Sequence, residues 1–151
     1  MSVAVVHSAC PRCQDPLERR QLWDLHVDVC SRCRFVALEQ TNLPSLLENL
    51  SAELERRLDP DVCLAPLPDR VSGAACSFCR RAMEKADYCE AKLVFFERCQ
   101  SCARIWVGSN ELAAMAVMWA RMDKRAARTR QRSAEDLALM DLLWFAQSNF
   151  R

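Results

Sequence analysis

At 151 residues the chain is long enough for one ordinary domain or two small ones, and 21 basic against 20 acidic side chains leave a formal net charge of only +1. Near-neutrality excludes a surface that is cationic throughout, and no stretch approaches the ~20 consecutive apolar residues of a membrane-spanning helix. Ten cysteines beside only two glycines are the unusual part of the composition.

The opening stretch, MSVAVVHSACPRC, has no basic n-region and only a short apolar run before its first cysteine pair. No export signal is expected, so the chain is expected to be cytoplasmic and its thiols reduced. Cys10-Pro11-Arg12-Cys13 is a first knuckle, and Leu22, Trp23 and Leu25 to Val29 form a strand-like stretch leading to a second, Cys30 to Cys33. His26 and Asp28 alternate with Leu25, Val27 and Val29, which predicts a half-buried strand whose apolar face covers the first metal site. Phe35 to Leu38 then closes a three-stranded ribbon.

From Leu43 the period becomes helical, with a stripe of Leu43, Leu46, Leu47, Leu50, Leu54 and Leu58. Thr41 or Asn42 is placed to cap this helix, and Pro44 falls in its first turn, where a missing N–H does no harm. Pro60, Pro66 and Pro68 mark residues 59–72 as a linker, which also carries Cys63.

The second half repeats the first. Its knuckles are Cys76 to Cys79 and Cys99 to Cys102, its strand region contains Tyr88 and Leu93 to Phe96, and Ile105-Trp106-Val107 stands where Val36-Ala37-Leu38 stood. Ser109 can cap a helix with the stripe Leu112, Met115, Ala116, Trp119 and Met122. Leu43 and Leu112 each lie ten residues after the last cysteine of their set, an offset that points to internal duplication. A basic run follows, Arg121, Lys124, Arg125, Arg128, Arg130 and Arg132, and then a last helix capped by Ser133 with the apolar face Leu137, Met140, Leu143 and Trp144.

The chemistry lies in the cysteine spacing. Sixteen residues separate the two pairs of the first set and nineteen those of the second, the arrangement of two four-thiolate zinc sites. A Cys-x-x-Cys turn aims two sulfurs at one ion, and four protein ligands close the site, whereas a catalytic zinc keeps a position for water. The metal ligands are expected to be Cys10, Cys13, Cys30 and Cys33 for one Zn2+, and Cys76, Cys79, Cys99 and Cys102 for a second. Iron is chemically compatible with the same ligands. His7 and His26 are not needed as ligands, and Cys63 and Cys89 are expected to be ordinary buried side chains.

These features predict a small metal-stabilised α+β fold. Residues 1–58 form a zinc ribbon of short antiparallel strands with its amphipathic helix, 59–72 a linker, 73–131 a second ribbon with a basic helix, and 132–151 a C-terminal helix. The helices are expected to pack together or on a partner.

The stretch from Cys10 to Leu43 resembles the TFIIB-type zinc-ribbon family of small bacterial proteins. Cys10, Pro11, Cys13, Leu17, Val27, Asp28, Cys30, Cys33, Leu38 and Leu43 fit the family pattern, as do Cys76, Cys79, Met83, Cys99, Cys102, Ile105, Trp106, Glu111 and Leu112 in the second half. The resemblance implies a tandem zinc-ribbon fold. The chain departs from it where the family places a glycine pair, here Arg34-Phe35 and Ala103-Arg104. Ala37 replaces the family tryptophan that Trp106 keeps, and Glu39 and Gly108 hold its aspartate position.

No phosphate-binding glycine loop, His-Glu-x-x-His motif or paired carboxylate constellation is present, so the expected role is non-catalytic. Eight thiolates and two divalent ions take the formal charge from +1 to −3, and Arg12, Arg32, Arg34, Arg80, Arg81, Arg98 and Arg104 stand beside them to offset it. The leading expectation is a structural zinc protein that binds an unidentified protein partner as an adaptor, with no membrane or small-molecule substrate. Two alternatives remain open: nucleic-acid binding through the phosphate-reaching residues Arg121, Lys124, Arg125, Arg128, Arg130 and Arg132, and a thiol redox sensor.

Overall fold

The computed structural model describes residues 8–56, 67 and 73–124. Strands β1 (Leu17–Leu22), β2 (Leu25–Cys30) and β3 (Phe35–Glu39) lead through a 3-10 turn at Gln40–Asn42 into helix α1 (Leu43–Glu55). The plan recurs as β4 (Glu84–Asp87), β5 (Phe95–Cys99) and β6 (Arg104–Gly108), with residues 109–124 forming helix α2. The basic residues Arg125, Arg128, Arg130 and Arg132, the predicted C-terminal helix, His7 and Cys63 lie outside the described residues.

Two local expectations change. The stretch read as one strand around Trp23 is a hairpin in which Leu22 pairs with Leu25, and Trp23 occupies the turn with φ 54°. A two-residue hairpin needs such left-handed backbone to match the strand twist. Tyr88 lies in a 3-10 turn, not a strand. The loop after it is closed by the Asp87 carboxylate, which accepts the Lys92 N–H at 3.0 Å, and Cys89, Glu90 and Lys92 all take positive φ.

All six strands form one antiparallel sheet in the order β1-β2-β3-β6-β5-β4. The ribbons therefore meet edge to edge, β3 against β6. Along this seam Val36 faces Val107, Ala37 faces Trp106 and Leu38 faces Ile105. Ala37 and Trp106 each follow the last cysteine of their own set by four residues. Equivalent positions thus oppose one another, and the seam carries a local twofold axis through the Ala37–Trp106 pair. All but Leu67 of the sequence-predicted linker lies outside the described residues, and the Leu67 N–H donates to the Leu93 carbonyl at 2.9 Å.

An axis normal to the sheet sends corresponding faces of both ribbons to the same side. On one side Val36, Leu38, Ile105 and Val107 join Leu46 and Leu47 of α1 and Leu112, Met115 and Ala116 of α2 in a single core. On the other, Phe35, Ala37 and Trp106 join Leu17, Met83 and the buried cysteines. The central strands are covered on both faces, which is why Phe35 to Leu38 reads as an unbroken apolar run. Val27 belongs to the helix-side core, so the face of β2 expected to cover the first metal site does not. Strand pairing puts Asp28 and Cys30 on the metal side, and the period of two turns Val27 away.

The helix starts are tied across the seam. Asn42 makes no side-chain cap, although Pro44 does sit in the first turn. Instead the Gln40 N–H donates to the carbonyl of Ala103 at 2.8 Å, beside the knuckle of the other ribbon. The counterpart contact runs from Ser109 N–H to the Arg34 carbonyl at 3.1 Å. Gly108 precedes α2, and a Cβ there would overlap the Glu111 carboxylate, which folds back over the helix start.

Candidate metal centres

The first knuckle of each ribbon is a tight turn closed by two backbone bonds before any metal is considered. Cys10 N–H donates to Asp15 O at 2.7 Å and Gln14 N–H to Cys10 O at 2.9 Å; Cys76 and Arg80 repeat both bonds at 2.8 Å. The residue after the second cysteine is left-handed in all four turns: Gln14 at φ 66°, Arg34 at 57°, Arg80 at 62° and Ala103 at 53°. Glycine takes this conformation without steric cost, and these residues bear about 1 kcal/mol or more of strain each. The second knuckle of each ribbon is held between two strands, β2 and β3 or β5 and β6, and the first is closed by the isolated bridge Ala9–Pro16 or Ala75–Ala82.

The four turns deliver two sulfur quartets. In the first, Cys13 Sγ is 3.4 Å from Cys30 Sγ and 3.7 Å from Cys33 Sγ, and Cys10 Sγ is 3.5 Å from Cys33 Sγ. In the second, Cys76 and Cys102 approach to 3.6 Å and Cys79 and Cys99 to 3.3 Å. All sulfurs of a quartet lie within 4.8 Å of one another, so each set could hold one metal ion. Four sulfurs placed 2.3 Å from a central ion stand about 3.8 Å apart in a tetrahedron. The observed separations are close to that and far from the ~2.0 Å of a disulfide bond, and all nine described cysteines are free thiols.

Burial is unequal within each quartet. Cys10, Cys30, Cys76 and Cys99 are buried, while Cys13, Cys33, Cys79 and Cys102 are half-buried, so each centre has one wall in the core and one at the surface. Without a cation, burial pushes the Cys102 thiol up to about 12, and it raises Cys10 as well. Burial acts upward at Cys99 too, but the amide of Cys102, the sulfurs of Cys79 and Cys102 and the amide of Ser101 bring it down to about 7. Its counterpart Cys30 is lowered in the same way. One thiolate per quartet, Cys30 or Cys99, is thus favoured by backbone amides, whereas burial holds Cys10, Cys33 and Cys102 toward the neutral thiol until a cation is present. A cation taken up by either quartet would therefore displace protons.

A shared wall lies between the centres. Trp106 is fully buried, and its ring centroid is 5.6 Å from both Phe35 of the first ribbon and Phe78 of the second. The Arg12 guanidinium lies 3.9 Å over the Phe35 ring, and that of Arg104 3.9 Å over Phe78. Arg104 also reaches across the seam to Asp28, a buried carboxylate it meets at 3.5 Å, while Arg19 meets Asp28 at 3.1 Å. The Ser77 hydroxyl donates to the carbonyl of Ala9, joining one knuckle to the other.

The remaining sequence candidates are not brought together at either centre. His26 is exposed on β2 and lines an open cleft with Asp24, Glu39 and Arg104. Cys89 is exposed rather than buried, because the left-handed turn directs it outward, and its Sγ lies 3.5 Å from Met122 Sδ. Of the basic run, Lys124 is engaged with Glu55 of α1 at 2.8 Å, and Arg121 is on the surface of α2. Sequence reading missed the Asp28–Arg104 bridge and the exchange of Arg12/Phe35 for Phe78/Arg104; aligning the two knuckles would have disclosed the exchange. No described helix is long and apolar enough to cross a membrane.

No protein-family model, curated protein or solved structure matches the chain.

Proposed function

We propose that the chain is a structural zinc protein, a tandem ribbon of the TFIIB type, that serves as a non-catalytic interaction module. The observation that carries this reading is the pair of four-sulfur sets at near-tetrahedral spacing. Four thiolates complete the coordination of zinc and leave no position for a reacting water. The first-choice ion is zinc because thiolate quartets on short antiparallel strands suit a closed structural centre, with the metal replacing part of the core that small ribbons lack.

Interaction as the outward role is supported by the hairpin tip. Trp23 and Leu22 project from the turn between β1 and β2 with 46% and 36% of their surface exposed, and Met122 is exposed on α2. Tryptophan in such a place supplies large contact area at small entropic cost. The β1 edge itself carries Glu18, Arg19 and Arg20, charges that discourage indiscriminate strand pairing.

The reading is tested by native mass spectrometry of the reduced, purified chain with elemental analysis. Two zinc ions per chain are expected, and one fewer in Cys30→Ser. Protein without bound metal after zinc reconstitution under reducing conditions would overturn it. For the partner role, Trp23→Ala should weaken capture of the native-cell partner while leaving zinc content at two.

A further inference from the structure

Each candidate centre takes its sulfurs from one ribbon and is braced by the other. Four independent contacts cross the seam beside the knuckles: Arg104, two residues after Cys102, binds Asp28, two residues before Cys30; Ser77, between Cys76 and Cys79, binds Ala9, next to Cys10; Gln40 binds Ala103, next to Cys102; and Ser109 binds Arg34, next to Cys33. Trp106 adds a fifth, packing at equal distance on an aromatic ring beside each quartet.

The contacts are reciprocal in direction. The start of the first ribbon's helix leans on the second ribbon's last knuckle, and the start of the second ribbon's helix leans on the first ribbon's last knuckle. An ion that locks one knuckle therefore orders donors and acceptors belonging to the other. Neither quartet is supported by its own ribbon alone, since each ribbon's closing strand pairs both with its own neighbour and with the closing strand of the other.

We infer that the two ions load cooperatively: occupation of one quartet raises the affinity of the other through the Asp28–Arg104, Ser77–Ala9 and Trp106 contacts. This rests on the zinc reading given above and adds a property that two ribbons on a flexible tether would lack. Ordering shared groups once, rather than twice, is the source of the gain, and linkage requires the effect to be mutual. The functional consequence is a switch-like response to metal, in which fully loaded and empty chains are favoured and half-loaded chains are scarce.

The test is a stepwise titration of zinc ions into the reduced, metal-stripped full chain, followed by native mass spectrometry at one ion per chain on average. Independent equal sites leave about half of the chains carrying one ion, whereas tenfold coupling lowers that share to about a quarter and hundredfold coupling to about a tenth. The result expected is a one-ion share well below half. Intrinsically unequal sites would raise the one-ion share, so a second measurement isolates the coupling. Zinc affinity of the second quartet, read by chelator competition, should fall about 5- to 150-fold when Cys10→Ser and Cys13→Ser disable the first.

Because those variants disturb the first ribbon directly, the deciding comparison uses Asp28→Asn with Ser77→Ala, which alter no sulfur. That chain should still take two ions, with the one-ion share rising toward the independent value. An unchanged affinity of the second quartet in the first variant, or an unchanged distribution in the second, overturns cooperative loading. Failure of the parent chain to take zinc at all would instead overturn the structural zinc reading.

Discussion

In the first ribbon the knuckle supplies an arginine, Arg12, and the closing strand a phenylalanine, Phe35; in the second the knuckle supplies Phe78 and the strand Arg104. The two cation–ring pairs have the same 3.9 Å geometry with the residues exchanged. What the fold requires at that place is a pair, a flat cation on an aromatic face, and either partner can come from either element. The contrast at the seam is of another kind. The equivalent positions Ala37 and Trp106 face each other directly, so one large side chain fills the space and the other must be small. A second tryptophan has no room, and a second alanine would leave a void against Phe35 and Phe78.

That comparison can be broken most severely through the metal. On the zinc reading proposed above, chelation of the reduced chain should unfold both halves together, since structural zinc contributes about 10–16 kcal/mol in small thiolate peptides. Circular dichroism during chelator titration should show one transition, and lowering the pH should have the same effect by protonating the thiolates. Two separated transitions would show that the ribbons stand independently.

Next in size is the seam pair. Trp106→Ala should cost about 3–5 kcal/mol, and Ala37→Trp about 1–3 kcal/mol by overpacking. The double exchange, Ala37→Trp with Trp106→Ala, restores one large and one small residue across the axis and should recover part of the loss. Additive costs in denaturant melts would argue against direct packing. Removal of the Asp28 carboxylate by Asp28→Ala should be milder, about 1–3 kcal/mol, because it leaves Arg104 half-buried without its partner across the seam. Arg104→Met, paired with it in a double-mutant cycle, should cost less in the Asp28→Ala background.

The smallest effect has the opposite sign. Ala103→Gly should stabilise the chain by about 1 kcal/mol by relieving the left-handed backbone at φ 53°. Ala113→Gly, at an exposed position of α2, serves as the destabilising contrast, with a cost of about 1 kcal/mol.

Much of this organisation is legible in the order of the residues. The four Cys-x-x-Cys turns announced both sulfur sets, because a turn of that length brings its two side chains together whatever surrounds it. The leucine stripe from Leu43 and the repeat offsets were readable for a similar reason: helical period and duplication are properties of order along the chain. Trp23 and Tyr88 were misplaced because apolar character cannot distinguish a strand from the turn that ends it. The exposure of Cys89 depends on a left-handed turn closed by Asp87, which cysteine composition does not encode.

Order along the chain thus determined the sulfur sets and the ribbon-plus-helix repeat. Only the tertiary structure decided that β3 pairs with β6, because strand pairing depends on which edge is available in space and on side-chain fit across it. From that one pairing follow the common core under both helices, the single tryptophan between the centres and the bridge from Arg104 to Asp28. Each joins residues about 70 positions apart, where neither period nor spacing carries information, and contact alone selects the partner.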